Sequence, residues 1–571
     1  MKTTQALLST CMTLATLSGV ALGAQQQYPV SIASHDELAV QEIARSLITS
    51  LPQEQQLLIA ANGGIGAEAV NPAAFTRNFE DRNLGHIPTD VTAIKYLGML
   101  MGDQMRAELT EAQIAVVTNI ATVIDEGTTV PLMCFSPDTN PKYAYLINEL
   151  LDYQFVADKD DNSRFQIGNR WSRTATNGSG LTQGTPTTVT YSFAPDGSFI
   201  PNSGLGSGNS TLFQWLDAKY GNTATWQTFF HDVFARWGEF SGLSYVWEQN
   251  DDGVRMSSQR GVLGVRGDVR VFAFNYPGDG NGGVLAYNFF PNDGDMALDA
   301  FDSFYNNTGG NSIRLRNVIS HEHGHGIGIF HVCPANQTKL MEPFISTAYT
   351  GPQLDEILAT HRHYGDPQEP NNSIASATDL GTFNNSGIDV VAEASIDDNS
   401  DVDFYTLTLT ERAQILFSIG PNAGQYSQGP QTQSCNSAPT TNYNTMHDLK
   451  IEMFDISDIF NPVVVADDTG VGGSETATYA AEQPGDYLII VSTNSSTNNV
   501  QRYQGTLFIS ALPPVECPAD INGDGQLNFF DVSAFLSAFS AQDAVADFNG
   551  DGDFNFFDVS AFLTAFGEGC P

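Results

Sequence analysis

The sequence predicts a multidomain chain: a helical N-terminal segment, an α+β domain with a twisted sheet and one long helix, an all-β sandwich, and a small α-helical tail. Three observations predict this. At 571 residues the chain is too long for one hydrophobic core, since single cores stop growing near ~250–300 residues. The spacing of apolar residues changes along it, from helical to mixed to strand-like. The last segment duplicates an Asp/Asn/Gly loop followed by an apolar helix.

Taken in order, Met1-Lys2 precedes a run that is apolar and small from Leu7 to Gly23, and Ala21-Leu22-Gly23 precedes Ala24. Residues 1–24 read as a secretory signal peptide, which implies a disulfide-permitting, extracellular or cell-surface destination for a bacterial-type chain. No later segment reads as a membrane span. Residues 25–165 read as helical and pro-segment-like: Leu38, Val40, Ile43, Leu47 and Ile48 recur at helical spacing, as do Leu97, Met99, Met101, Met105 and Leu109. The methionines read as core packing.

Residues 166–366 mix strands (Thr187–Phe193, Arg270–Phe274, Val284–Phe290) with an amphipathic helix over Trp226–Phe240 and a second helix from near Ser312. Residues 367–513 carry short β-rich runs between Asn, Ser, Gly and Pro, clearest at Asp403–Leu409 and Asp486–Val491. That is a β-sandwich pattern. Residues 514–571 follow the Pro513-Pro514 linker.

A formal net charge of −41 argues against nucleic acid or an anionic membrane surface as partner. Much of it comes from Asp in Gly- and Asn-rich loops, which suit calcium. Once Cys11 leaves with the signal, Cys134, Cys333, Cys435, Cys517 and Cys570 remain. An odd number leaves at least one thiol unpaired within the molecule. Cys517 and Cys570 bracket the tail as a clasp.

The chemistry concentrates in His321-Glu322-His323-Gly324-His325-Gly326-Ile327-Gly328-Ile329-Phe330-His331. His321 and His325 are four apart and share one helix face. Gly328 allows the chain to leave the helix so that His331 returns as a third ligand. Three imidazoles leave a zinc coordination position open for water, the catalytic arrangement. Glu322 is placed to act as general base. His323 is no ligand by spacing, and His361 and His363 read as surface residues.

This string resembles the metzincin zinc-protease signature. Ten residues past His331, Lys339-Leu340-Met341-Glu342-Pro343 narrows the resemblance to the matrixins, whose zinc site sits above a methionine turn. The resemblance places Met341 and Pro343 in that turn and Leu354–Tyr364 in the closing helix. It implies an α+β metzincin fold, peptide or protein substrates paired along the strand through Val284–Phe290, and Phe344 at the wall of a side-chain pocket. It also implies a structural calcium held by Asp279, Asp299 and Asp302 with carbonyls of Gly280, Gly282 and Val284. The family's second zinc aligns with Phe272, Phe274, Tyr287 and Ala297, so one catalytic zinc is expected.

Cys134-Phe135-Ser136-Pro137-Asp138 keeps the cysteine-to-Pro-Asp spacing of the matrixin latency motif but lacks its flanking Arg and Gly. Cys134 is either a switch thiol or the disulfide partner of Cys333 or Cys435. Glu369-Pro370-Asn371-Asn372 and Asp401-Val402-Asp403-Phe404-Tyr405 resemble the pre-peptidase C-terminal domain of secreted proteases.

In the tail, Asp520, Asn522, Asp524, Asn528 and Asp531 occupy EF-hand ligand positions, and Asp547, Asn549, Asp551, Asn555 and Asp558 repeat them. The duplication resembles a dockerin, which implies calcium and a cohesin-like or cell-surface anchor. Together these features predict a secreted zinc endopeptidase with several structural calcium ions. The competing reading, a catalytically inactive surface or complex-anchored binding protein, sits poorly with an intact Glu322.

Overall fold

Helices form where capping residues precede apolar runs. The computed structural model describes residues 91–155, 165–257, 259–432, 434–513 and 517–569. The signal-peptide region and the helix expected over Glu37–Leu51 lie outside them. The helical run expected between residues 88 and 124 is three helices: α1 (Ala93–Leu100), α2 (Asp103–Ala107) and α3 (Glu111–Asp125). Gly102 precedes α2, and Thr110 starts α3 with a capping box. Its hydroxyl accepts from Gln113 N–H while the Gln113 amide oxygen accepts from Thr110 N–H. Strand β1 (Leu132–Phe135) follows, then α4 (Pro141–Gln154), with Asn140 as cap and proline in the first turn. The reading of residues 25–165 as helical throughout missed β1, a four-residue apolar run too short to show a period.

β1 joins a six-stranded sheet with β2 (Thr187–Phe193), β3 (Leu243–Trp247), β4 (Val269–Phe274), β5 (Val284–Asn288) and β6 (Met296–Asp299). The order is β1-β5-β6-β4-β2-β3. β2 is parallel to β3 and β4, and β6 to β4; β5 runs antiparallel to β6 and to β1.

Successive residues of a strand face opposite sides, and here both sides are covered. Val271, Ala273, Ala286 and Leu298 meet α5 (Leu212–Tyr220), α6 (Thr223–Gly238), α7 (Gly309–Gly326) and α8 (Leu354–Tyr364) in one core with Trp226, Phe234, Trp237 and Val318. Phe272, Phe274, Tyr287 and Ala297 face the other way and share a second core with Ile120, Leu146 and Ile147 of the N-terminal helices. The positions aligned with a second zinc are therefore packed apolar side chains, roofed by α1–α4. His361 and His363 are not surface residues: both are buried. His361 Nε2 lies 2.6 Å from Phe240 O, because α8 is enclosed between α6 and the segments that follow it.

After the short β7 (Val332–Cys333), the next strands are β8 (Thr378–Phe383), β9 (Gly387–Ile396), β10 (Asp403–Leu409), β11 (Ala413–Pro421) and β12 (Gly429–Pro430). Then come β13 (Leu449–Asp455), β14 (Val464–Ala466), β15 (Glu475–Ala481), β16 (Gly485–Thr493) and β17 (Gln501–Ala511). They build one sheet of order β8-β10-β16-β13-β14 and another of order β9-β17-β11-β15. Alternate residues such as Tyr405, Leu407, Ile415 and Phe417 fill a core between them.

One connection, residues 422–448, leaves this body. Its β12 pairs with β7, Cys435 is bridged to Cys333, and Tyr443 and Met446 enter the core that holds the long helix α7. The bridge settles one of the sequence alternatives: Cys134 is a buried free thiol.

The tail places α9 (Phe529–Ala541) against α10 (Phe556–Glu568), with Phe535 and Phe562 stacked at 4.1 Å. Cys517 is disulfide-bonded. Among the described residues no helix is long and apolar enough to cross a membrane.

Ile120 is fully buried, and a β-carbon on Gly204 would lie 2.7 Å from its Cγ1. The N-terminal helices and the sheet domain thus touch directly. Ile120→Ala is expected to destabilise the sheet domain by about 2–5 kcal/mol, measured by urea unfolding followed through tryptophan fluorescence. An unchanged midpoint would mean the two parts do not share a core.

Candidate active site

Helix α7 becomes regular only after Gly310, Asn311 and Ser312, all with positive φ. From there it carries His321, Glu322 and His325 on its buried side. Gly328 ends the turn with φ 101°, and a β-carbon there would lie 2.4 Å from Asn169 O. Glycine is thus required twice over, by backbone conformation and by close approach. The Trp171 indole N–H donates to Gly326 O at 2.8 Å and pins the helix end.

The result is a triangle of imidazole nitrogens. His321 Nε2 lies 3.1 Å from His325 Nε2 and 3.2 Å from His331 Nε2, and the last two are 3.3 Å apart. Each opposite ring nitrogen meets an oxygen: His321 Nδ1 and Leu340 O at 2.7 Å, His325 Nδ1 and Ile329 O at 2.7 Å, His331 Nδ1 and Gln431 Oε1 at 2.8 Å. An oxygen acceptor at Nδ1 puts the proton there and leaves the Nε2 lone pair bare. Burial lowers His321 and His325 well below the usual histidine range, and repulsion from the neighbouring imidazoles adds to it.

Three neutral rings aiming lone pairs at one point lack any proton to share and need a cation. Zinc at ~2.0–2.1 Å from each of three tetrahedral nitrogens would separate them by about 3.3 Å. The residues therefore fit zinc. Met341 floors the site: it is fully buried, and a β-carbon on Gly324 would lie 2.4 Å from its Sδ. Gly324 is thus a constrained position that the motif alone does not specify. His323 points away from the triangle, with Nε2 2.7 Å from Tyr245 Oη.

Glu322 is buried beside the triangle. Its Oε1 accepts from Cys134 N–H at 3.2 Å, and Oε2 has no partner. Burial pushes its carboxyl up to about 8, against the pull of the Cys134 hydrogen bonds. The Cys134 thiol is buried as well. Burial, then the Glu322 charge, hold it well above the usual thiol range. The thiol does not join the histidines: among the described residues, the cluster of ligand atoms within 4.8 Å of one another here consists of the three imidazoles.

β1 explains why. Leu132, Met133 and Cys134 pair antiparallel with Asn288, Tyr287 and Ala286 of β5. On its other side Phe135 N–H donates to Pro343 O, and Ile345 N–H donates to Phe135 O, both at 3.0 Å. The segment is an extended strand held between two backbone edges, and its register presents Cys134 to Glu322. Phe344 meets the Phe135 ring at 6.3 Å.

The expected calcium ligands are adjacent but do not form an equally tight cluster. Asp302 already accepts from Gly282 N–H and Phe304 N–H. Asp279 Oδ1 and Asp299 Oδ2 are buried and unpartnered, and burial pushes their carboxyls up to about 6 and about 8. Two orphaned buried carboxylate oxygens are the chemistry a hard cation satisfies.

In the tail, Asp520, Asp524 and Asp531 do converge within 4.8 Å. Asn522 and Asn528 flank them: Asn522 Oδ1 accepts from Asp524 N–H and Asn528 Oδ1 from Phe530 N–H. The second loop has the same turn bonds at Asp547, Asn549, Asp551, Asn555 and Asp558 but no cluster as tight among the described residues. A further cluster, Glu369, Asp401 and Asp403, was not anticipated as a site. It lies beside buried Asn371, whose amide atoms have no partner. Its signal was the alternation Asp401-Val402-Asp403 next to Glu369-Pro370-Asn371.

Comparison with known proteins agrees with the geometry. Residues 218–365 match the family model Matrixin. Matrix metalloproteinase-25 of Mus musculus is 39% identical over 93 residues, 15% of this chain and 14% of that protein. Karilysin of Tannerella forsythia is 31% identical over 143 residues, 24% of this chain and 28% of its own length. A putative matrix metalloproteinase of Trichoplusia ni ascovirus 2c is 27% identical over 142 residues, 21% and 25% of the two chains. The chain thus spans well under a third of each relative. The pre-peptidase C-terminal domain of a Bacillus anthracis collagenase aligns at 14% identity and TM-score 0.15, over 23% of this chain and 93% of that domain. Residues 218–365 are thus similar to matrixins, and the histidine triad they carry fits zinc.

Gly328→Ala is expected to lower the zinc retained per chain and to cost about 1–3 kcal/mol in backbone strain. Metal analysis together with thermal unfolding would measure this. A variant with full zinc content and an unshifted transition would refute the role given to the turn.

Proposed function

We propose that the chain is a secreted zinc-dependent endopeptidase that hydrolyses peptide bonds in proteins. The observation that carries this is the convergence of three bare imidazole nitrogens beside a buried, half-unpartnered carboxylate, next to a strand edge that holds extended peptide. Held by His321, His325 and His331, zinc would supply Lewis acidity, acidifying a water and polarising a carbonyl. The remaining work falls to the chain's own residues. β5 and the Pro343–Ile345 stretch bind substrate backbone from two sides and fix its register. Glu322 takes the water proton through the oxygen that has no other partner and delivers it to the leaving amine. Met341 and Trp237 exclude water beneath the histidines.

The N-terminal segment holds this site closed. β1 fills the place of substrate, and the Cys134 N–H engages one oxygen of the Glu322 carboxylate. The segment thus acts on the base through a backbone N–H as well as on the substrate edge. The Asp279/Asp299/Asp302 region and the tail loops read as structural calcium sites, and the duplicated tail as an anchor to a cohesin-like module or to the cell surface. The inactive-binder alternative has no observation in its favour.

In a chain whose β1 is loosened by Phe135→Asp, adding Glu322→Ala should retain zinc and lower hydrolysis of casein by at least about 100-fold, measured by fluorescent-casein turnover alongside metal analysis. Wild-type activity indifferent to chelation would sink the zinc reading. Phe135→Asp, which buries an unpaired carboxylate against Tyr143, Phe344 and His331, should loosen β1 and raise turnover of a short quenched peptide severalfold. Unchanged or lower turnover by a folded variant would refute the blocking role of β1.

A further inference from the structure

The proposed zinc site draws on three Nδ1 acceptors. Two are backbone carbonyls next to the ligands. The third, Gln431 Oε1, comes from 100 residues further on, in the connection that leaves the β-sandwich. Gln431 is buried, and a set of independent contacts places it. Val332 and Cys333 pair antiparallel with Pro430 and Gly429 immediately before it. Cys333 is bridged to Cys435, with Cα atoms 5.1 Å apart. Ala335 N–H donates to Cys435 O at 2.7 Å. Tyr426 Oη donates to Asp355 Oδ1 of α8 at 2.8 Å, and its ring stacks on Tyr443 at 4.5 Å. Tyr443 in turn stacks on Phe165. The loop is thus tied to the catalytic region by strand pairing, a covalent bridge, a carboxylate hydrogen bond and aromatic packing, and every tie flanks Gln431.

We propose that Gln431 is a positioning residue for the third zinc ligand, so that the sandwich connection completes the metal site and is more than a spacer. The argument rests on the zinc reading above. His331 lies beyond the end of α7, past the Gly328 turn, and lacks the helix that orients His321 and His325. An amide oxygen at its Nδ1 fixes the ring plane and the tautomer together. An amide accepts this hydrogen bond without bringing a charge of its own into the buried site.

The test uses the full chain with Gln431→Ala, Gln431→Met and Gln431→Glu. Zinc affinity is read by competition with a chromogenic chelator, and ligand geometry by the visible spectrum of the cobalt-substituted protein. Gln431→Ala and the volume-preserving Gln431→Met should each weaken zinc binding by about 10–100-fold and alter the cobalt bands. Gln431→Glu, which keeps an acceptor, should recover most of the affinity. Affinities within about twofold of wild type and unshifted cobalt bands in a folded Ala or Met variant would overturn the proposal. So would equal losses in all three variants, which mark a packing role only. A β1-loosened chain (Phe135→Asp) that binds zinc but cleaves nothing would overturn the protease reading and leave this one standing; a wild type that binds no zinc would overturn both.

Discussion

The arrangement that the rest of the structure serves is the meeting of three imidazole lone pairs at one buried point. Bare Nε2 atoms 3.1 to 3.3 Å apart repel, and each ring must be held against that repulsion from behind. The holders come from three directions: the carbonyl of Leu340 before the methionine turn, the carbonyl of Ile329 after the glycine turn, and the amide of Gln431. Gly328, Gly324 and Met341 follow from this demand. The first lets the chain double back, and the other two bring the floor up to the helix.

The same burial that makes the histidines good metal ligands raises the free energy of every charge nearby. Glu322 has one oxygen engaged and one free, the arrangement on which the proposed proton transfer draws. The buried carboxylates near Asp279 and Asp299 present the same problem on the opposite side of the sheet, where a cation is the natural partner. The described part of the N-terminal segment meets the sheet in two ways. Its helices cover an aromatic sheet face that would otherwise meet water, and its strand β1 pairs with the edge of β5.

Much of this was legible in the residues. Thr187–Phe193, Asp403–Leu409 and Leu354–Tyr364 form the elements expected over those residues, because their periodicity is long enough to decide between helix and strand. The zinc ligands were legible because their spacing is local: i and i+4 on a helix, then one glycine turn. What was misread involved distance along the chain. β1 is too short to carry a period and becomes a strand only because β5 offers an unpaired edge. His361 and His363 look like surface residues in a polar stretch, but α8 is enclosed on all sides. Cys134 had two open partners until the Cys333–Cys435 bridge removed both.

The sequence by itself determined the chemistry: which side chains can hold zinc, which can move a proton, which loops carry oxygen ligands, and that the chain would divide into differently patterned parts. These are properties of residue type and near-neighbour spacing. The tertiary structure alone decided what stands behind and in front of that chemistry. Gln431 reaches His331, Cys134 reaches Glu322, and the N-terminal helices reach the aromatic sheet face only because core packing and a disulfide bring together segments 100 or more residues apart. No local pattern records the meetings of Gln431 or Ile120, because each taken alone is an ordinary glutamine or isoleucine; Cys134 carried a local signal in its spacing to Pro137-Asp138, but not the partner it meets.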